Sequence, residues 1–242
     1  GMNLEHYFDA SPRKAREVFF EPRYATMQLR RINANTVELH QPPTPIFKVE
    51  SWTRFAATGP HQIDFSFRCK PHRSDYVGDF LGVFWASYMN GPLNKSMYFI
   101  DGAANLEAPM WRQLCTQVHN RDSTVRAVDD QTKLEFVDRE ALFANESPLR
   151  YSVPLFYGRF RNMVLIYVFQ PDPNLRFTHS PSGGGLTKTG DDTNPAWDFQ
   201  LIIPEPAAGQ EYELRGCLIY KKWMGRADVL AEAKKYLAQR DK

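Results

Sequence analysis

Apolar and polar positions alternate with a period of two along most of this chain, the spacing that places every second side chain on one face of a β-strand. Met27, Leu29 and Arg31 run into Asn33-Ala34-Asn35, and Val37 and Leu39 resume beyond it, which is a hairpin pattern. Gln41 to Pro45 breaks that strand. Phe47, Val49, Ser51, Thr53 and Phe55 alternate up to Gly59-Pro60. Ile63, Phe65, Phe67 and Cys69 then alternate with Asp64, Ser66 and Arg68, giving a second and clearer hairpin. Phe80 to Asn90 is apolar on both faces, with Phe84, Ala86 and Tyr88 on one and Val83, Trp85 and Ser87 on the other, so it reads as a central strand.

Shorter strands are predicted at Ser96 to Ile100, at Leu114 to Val118 pairing with Ser123 to Val128, and at Leu134 to Val137. Leu155 to Arg161 and Met163 to Phe169 pair around Arg161-Asn162, and Trp197 to Ile203 and Tyr212 to Lys221 close the series. Pro171 to Asn194 reads as a long polar loop broken only by Leu175 to His179, and loops of that length are usually functional or mobile. Two segments are helical. Ser11-Pro12 supplies a capping hydroxyl and a first-turn proline for a short helix reaching about Phe20. Val229, Leu230, Ala233, Tyr236 and Leu237 recur at one-turn intervals near the C-terminal end. The predicted fold is all-β, a large antiparallel β-supersandwich with a short N-terminal helix and a C-terminal helix, formed by residues 1–242 as a single domain.

Composition agrees with a packed globular chain: 43% of the 242 residues are hydrophobic, 14% aromatic and 24% charged, which excludes disorder and a coiled coil. Lys+Arg 30 against Asp+Glu 28, scattered along the chain, leaves no basic stripe for a nucleic acid. The longest apolar run, Met163 to Phe169, is far shorter than the roughly 20 residues that span a bilayer, so no membrane partner is expected. Cys69, Cys115 and Cys217 lie far apart and read as small buried side chains. With no charged segment followed by an apolar stretch at the start, a cytoplasmic location is the expectation.

His6, His40, His61, His72, His119 and His179 are isolated in sequence, so a zinc site is not expected. No Gly-x-Ser-x-Gly elbow occurs, and the glycines of Ser180 to Gly185 are not placed as a phosphate cradle before Lys188-Thr189. Neither a metal nor a cofactor is therefore predicted. Asp191 and Asp192 read as solvated carboxylates in preference to calcium ligands.

The remaining candidates are polar and aromatic residues on strands. Trp85, Tyr88 and Asn90 place flat rings and an amide at the end of a central strand, where they suit stacking on and hydrogen bonding to a sugar, core packing being the alternative. Tyr157, Arg159 and Arg161 alternate along one strand face as a stripe of donors. Arg176 and His179 stand near the Gly-rich loop. Asp198 and Gln200 share one face of an apolar strand, and a carboxylate there must be paired or face a cleft. Asp198 is accordingly the leading acid/base candidate, with a structural arginine partner as the other explanation. His119 sits where a strand ends, facing either a cleft or solvent.

At Phe84-Trp85-Ala86-Ser87-Tyr88-Met89-Asn90, Asn194-Pro195-Ala196-Trp197-Asp198-Phe199-Gln200 and Tyr212-Glu213-Leu214-Arg215, the chain resembles bacterial proteins of unassigned function in the galactose-mutarotase-like superfamily. The resemblance implies a sugar-sized cleft on a concave sheet, lined by Trp85, Tyr157, Arg159, Arg176 and His179. In epimerases of that superfamily a carboxylate takes the anomeric hydroxyl proton and a histidine protonates the ring oxygen. The nearest counterparts here are Asp198 as base and His119 or His179 as acid. The expectation is thus a carbohydrate ligand, with epimerase-like or glycan-cleaving chemistry, or a noncatalytic carbohydrate-binding protein.

Overall fold

The computed structural model of the protein describes residues 2–12, 16–118, 121–136 and 145–238. In chain order its elements are β1 (Met2–Phe8), α1 (Arg16–Phe19), α2 (Glu21–Tyr24), β2 (Gln28–Arg31), β3 (Thr36–Gln41), β4 (Val49–Ala57), β5 (Gln62–Pro71) and β6 (Phe80–Ser87). These are followed by β7 (Met97–Asp101), β8 (Trp111–Leu114), β9 (Thr124–Ala127), β10 (Glu146–Phe160), β11 (Met163–Phe169), β12 (Leu175–Ser180), β13 (Ala196–Pro204), β14 (Tyr212–Lys222) and α3 (Arg226–Ala238).

Among the described residues the strands form one 14-stranded sheet in the order β1-β6-β13-β12-β9-β10-β11-β14-β5-β4-β3-β2, with β7 and β8 attached at β10. Every pairing is antiparallel except that of β10 with β9. The sheet folds over at β10, whose Glu146–Tyr151 stretch pairs with β9 and whose Leu155–Phe160 stretch pairs with β11. Its two halves then face each other across one aromatic core: Trp85 meets the Phe67 ring edge-on at 5.4 Å, and Phe65 packs on Phe199 at 5.7 Å. Two hydrogen bonds also cross the interior, Tyr167 to Ser87 and Tyr7 to Ser51, each 3.0 Å. The predicted supersandwich is the observed architecture, made from a single open sheet folded over so that its halves face each other.

The outer faces of the two halves are covered differently. Val229, Ala233 and Tyr236 of α3 pack on Val168, Cys217 and Ile219, as the helical periodicity predicted. Over the other half, Phe8, Phe80, Phe84 and Ile202 pack with Phe19, Leu134 and Phe136. Phe8 lies directly on Gly82, where a Cβ would come within 2.1 Å of the ring, so glycine is what lets β1 seat against β6.

Several sequence expectations are corrected. Met2–Phe8 is a strand; the predicted N-terminal helix is present at Arg16–Phe19, residues 13–15 lie outside the described residues, and a further one-turn helix follows at Glu21–Tyr24. Trp111–Leu114 pairs with β7, while Thr124–Ala127 pairs with β12 and β10, so the expected hairpin between them does not form. Residues 134–136 are not a strand. Leu175–Ser180 is a fully buried strand between β9 and β13 and divides the expected loop in two.

Candidate functional site

The half-sheet under α1 and α2 carries polar side chains on its outer face, and these are buried. Alternation along β13 sends Trp197, Phe199 and Leu201 inward to the core and leaves Asp198 and Gln200 on the outer side. Their cross-strand partners on β12 are Thr178 and Arg176, which pair in turn with Thr124 and Arg126 of β9. Asp198 accepts a 2.6 Å hydrogen bond from the Ser87 backbone N–H. Burial pushes its carboxyl well above the ordinary range; the Ser87 N–H opposes this and the charge of Glu5 adds to it. Burial thus favours the neutral form of this carboxyl.

Beside it, β1 contributes through a bulge. The register slips between Leu4 and His6, so Leu4 and Tyr7 both face the core while Glu5 and His6 both turn outward. Glu5 accepts from the Tyr88 hydroxyl and from Arg23 Nη1 at 2.9 Å, and lies 3.3 Å from His6 Nε2. Burial alone would raise Glu5, but hydrogen bonds from His6 and Tyr88 outweigh it and hold the carboxyl below the usual range. Burial and the hydrogen bond to Glu5 together raise the Tyr88 phenol, keeping it protonated. Two neighbouring carboxyl groups thus have pKa values pushed in opposite directions, the separation that distinguishes an acid from an anion in one site.

Arg176 and Arg126 are interlaced with two carboxylates. Arg176 gives Nε to Asp130 at 2.9 Å, Nη1 to Glu146 at 3.2 Å and Nη2 to the Thr132 carbonyl at 2.8 Å. Arg126 gives Nε to the same Asp130 oxygen at 3.0 Å and Nη1 to Glu146 at 2.9 Å. Burial lowers the Arg176 guanidinium, whereas for Arg126 the hydrogen bonds it donates to Asp130 and Glu146 and the charges of those carboxylates overcome burial and raise it. The four charges cancel.

Of the residues singled out from sequence, Asp198, Gln200, Tyr88 and Arg176 come together on this face. The others do not join them. Trp85 is in the core, stacked on Phe199 with 8° between the ring planes. Asn90 is exposed in the turn after β6. Tyr157 lies under α3, accepting from Arg226 at 3.0 Å, with Arg159 over the Trp223 ring at 4.7 Å. His119 lies outside the described residues. The signal for Glu5, missed in sequence, was the Glu-His dipeptide between apolar Leu4 and Tyr7; Asp130 and Glu146 had no local signal.

His179 pairs with Trp197 and points to the core side, away from Asp198. Its Nδ1 accepts from the Thr116 backbone N–H at 3.2 Å, and its Nε2–H donates to the Lys95 carbonyl at 2.9 Å, which also accepts from the Trp197 indole at 2.7 Å. The imidazole is a clamp on two chain segments. Burial lowers its pKa from 6.5 to about 4, with the Lys95 carbonyl bond opposing. The unfolded chain then binds the extra proton between these values, so the stabilisation is complete above pH 6.5 and is lost as pH falls to 4. We expect this loss to be about 3 kcal/mol. Urea unfolding from pH 7.5 to 4 should show a shallower decline for His179→Gln than for the wild type, and equal slopes would refute the assignment.

No group of three His, Cys, Asp or Glu among the described residues is placed to hold a metal ion. Asp191 accepts from Thr187 at 2.9 Å within the turn that carries it, and Asp192 pairs with Lys95, from the segment after β6, at 2.5 Å. On the opposite half-sheet a cleft of about 590 Å³ is lined by Trp52, Arg54, Arg68, Glu213 and Tyr236 among others. Its arginines are solvent-exposed and each is matched to a glutamate, Arg54 to Glu38, Arg68 to Glu211 and Arg215 to Glu213.

No protein-family model and no curated protein matches the chain. Solved structures do. A candidate aldose 1-epimerase from Escherichia coli K12 aligns with a TM-score of 0.50 at 9% identity, over 85% of this chain and 72% of that one. The fold is galactose-mutarotase-like. A galactose mutarotase-like protein from Lactobacillus casei aligns at a TM-score of 0.45 and 9% identity, over 81% of this chain and 73% of its own. An aldose epimerase homologue from C. elegans aligns at 0.43 and 9% identity, over 82% and 69%. At such identities the mutarotase-like likeness is one of fold, and activity has to be argued from the site.

Proposed function

We propose that the protein binds a carbohydrate on the outer face of the β1-β6-β13-β12-β9 half-sheet and acts on it by acid/base chemistry, with Asp198 as the proton donor. The observation that carries this reading is the buried Asp198 carboxyl on a polar sheet face, bonded to the Ser87 N–H and pushed up by burial, while Glu5 nearby is bonded to Tyr88 and Arg23 and held low. Tyr88, oriented by Glu5, and Thr178 and Thr124 supply hydroxyls of the kind that order a polyol. The fold supports the reading by analogy alone, since the structures that share it include one described as a candidate aldose 1-epimerase.

A second reading, a noncatalytic carbohydrate-binding protein, is favoured by the placement of His179 away from Asp198. One experiment separates the two. Wild type and Asp198→Asn are melted with neutral monosaccharides (D-glucose, D-galactose and D-mannose), and anomer exchange of each sugar is followed by NMR. A ligand that binds only the folded state raises the melting temperature. Stabilisation with accelerated exchange in the wild type alone supports catalysis; stabilisation of both proteins without exchange supports binding. No stabilisation by any of the sugars, and no exchange, removes the carbohydrate reading.

A further inference from the structure

The open cleft on the opposite half-sheet combines room, access and unused bonding capacity. Because Phe65 and Phe67 of β5 point into the core, Asp64, Ser66 and Arg68 face outward, and the strand register extends them into rows. One row runs Glu38, Arg54, Ser66, Arg215 and the next His40, Trp52, Arg68, Glu213, across β3, β4, β5 and β14. Ala56 and Ser66 are short among long neighbours, which hollows out about 590 Å³, within the size range of small-ligand sites. The Trp52 wall is fixed in place: His40 stacks on its ring at 5.2 Å and 11°, and Arg68 lies over it at 4.6 Å.

Each guanidinium commits only part of its donor set to the protein. Arg54 gives Nε and Nη2 to Glu38, Arg68 gives Nη1 to Glu211, and Arg215 gives Nε to Glu213; their other nitrogens have no hydrogen-bond partner among the described residues. Asp64 accepts from Gln62 through Oδ1 alone, and Glu213 accepts through Oε1 alone. The three arginines are balanced by Glu38, Asp64 and Glu213 on the same lining, so a charged ligand meets as much repulsion as attraction. A neutral ligand with many hydroxyls uses the donors and the acceptors alike.

We propose that this cleft is a separate binding site for an uncharged oligosaccharide, whose hydroxyls accept from Arg54, Arg68 and Arg215 and donate to Asp64 and Glu213. The length follows from the sheet: Arg54 and Arg215 stand two strand spacings apart, roughly 10 Å, wider than one pyranose ring. The ligand class comes from the cleft's own groups, and the site goes beyond the Asp198 face, on the other half-sheet.

The test is calorimetric titration of maltose, cellobiose and lactose, and of digalacturonate, into the full chain as wild type, Ser66→Tyr and Arg215→Met. Ser66→Tyr fills the hollow, and Arg215→Met removes donors from a side chain that is 52% exposed, so both proteins should melt as the wild type does. At least one neutral disaccharide should bind the wild type, and each variant should weaken it by roughly tenfold or more. If Ser66→Tyr fails to fold, Arg215→Met decides. Binding that both folded variants retain places the sugar elsewhere, which overturns this inference and leaves the Asp198 reading standing. Binding of digalacturonate alone, or of none of the four, also overturns it, whatever the monosaccharides do in the melting experiment above.

Discussion

Arg176→Met lowers the stability of the protein by about 3–5 kcal/mol, the range seen when one partner of a buried ion pair is removed. The reason lies in what remains. Arg176 is 0% exposed, and the Asp130 side chain opposite it is equally buried, so the lost guanidinium is not replaced by water. Asp130 and Glu146 then share the single charge of Arg126, and the Thr132 carbonyl loses one of its donors. For a chain of this length the melting temperature should fall by roughly 10 °C. Arg54→Met is the control, because Arg54 is 51% exposed beside Glu38 and a surface pair contributes about 0–1 kcal/mol. Thermal melts of both proteins decide the matter; an Arg176→Met loss no larger than the control would mean that the network does not hold its half of the sheet.

Asp198→Asn is expected to separate activity from stability. If Asp198 donates a proton, turnover falls by roughly 10²- to 10⁴-fold, while a sugar-induced rise in melting temperature persists, since the amide keeps the carboxyl's shape. The stability change has the opposite sign. A carboxyl whose pKa is raised on folding favours the native state at low pH and loses that contribution as pH rises past the unfolded value of 3.8. The amide has no such loss. The variant should therefore melt above the wild type at pH 7, with the difference narrowing as pH approaches 4. Unchanged turnover, or a difference that widens in acid, would show that Asp198 is not the buried acid described above.

How far the site was legible follows from the period-two rule and its limits. The β4–β5 and β10–β11 hairpins were plain because one face of each alternates apolar residues over a local turn. Asp198 and Gln200 were placed on one face by the same rule, correctly. β12 was obscured because Arg176 and Thr178 face the polar site and Thr178 is buried there, so Leu175 to Ser180 carries the composition of a loop. β1 was obscured by its bulge, which brings Glu5 and His6 to the same side and spoils the alternation. His179 was set with Asp198 as acid and base by the superfamily resemblance, whereas the β12–β13 register pairs it with Trp197 and turns it inward. Register between distant strands is a tertiary property, and no local spacing reports it.

The position of β14 bears on how the chain is made. It lies between β11 and β5, pairing Tyr212 with Cys69 and Phe169 with Gly216, so among the described residues it is the strand that joins the β2–β5 meander to the rest of the sheet. During synthesis the meander emerges early and waits with its β5 edge open until more than 140 further residues have followed. Such long-range closure is slow, and an exposed edge is a template for pairing with other chains. A ribosome that stalls before Tyr212 would leave both flanking edges bare, and that nascent chain is the form of this protein most in need of a chaperone.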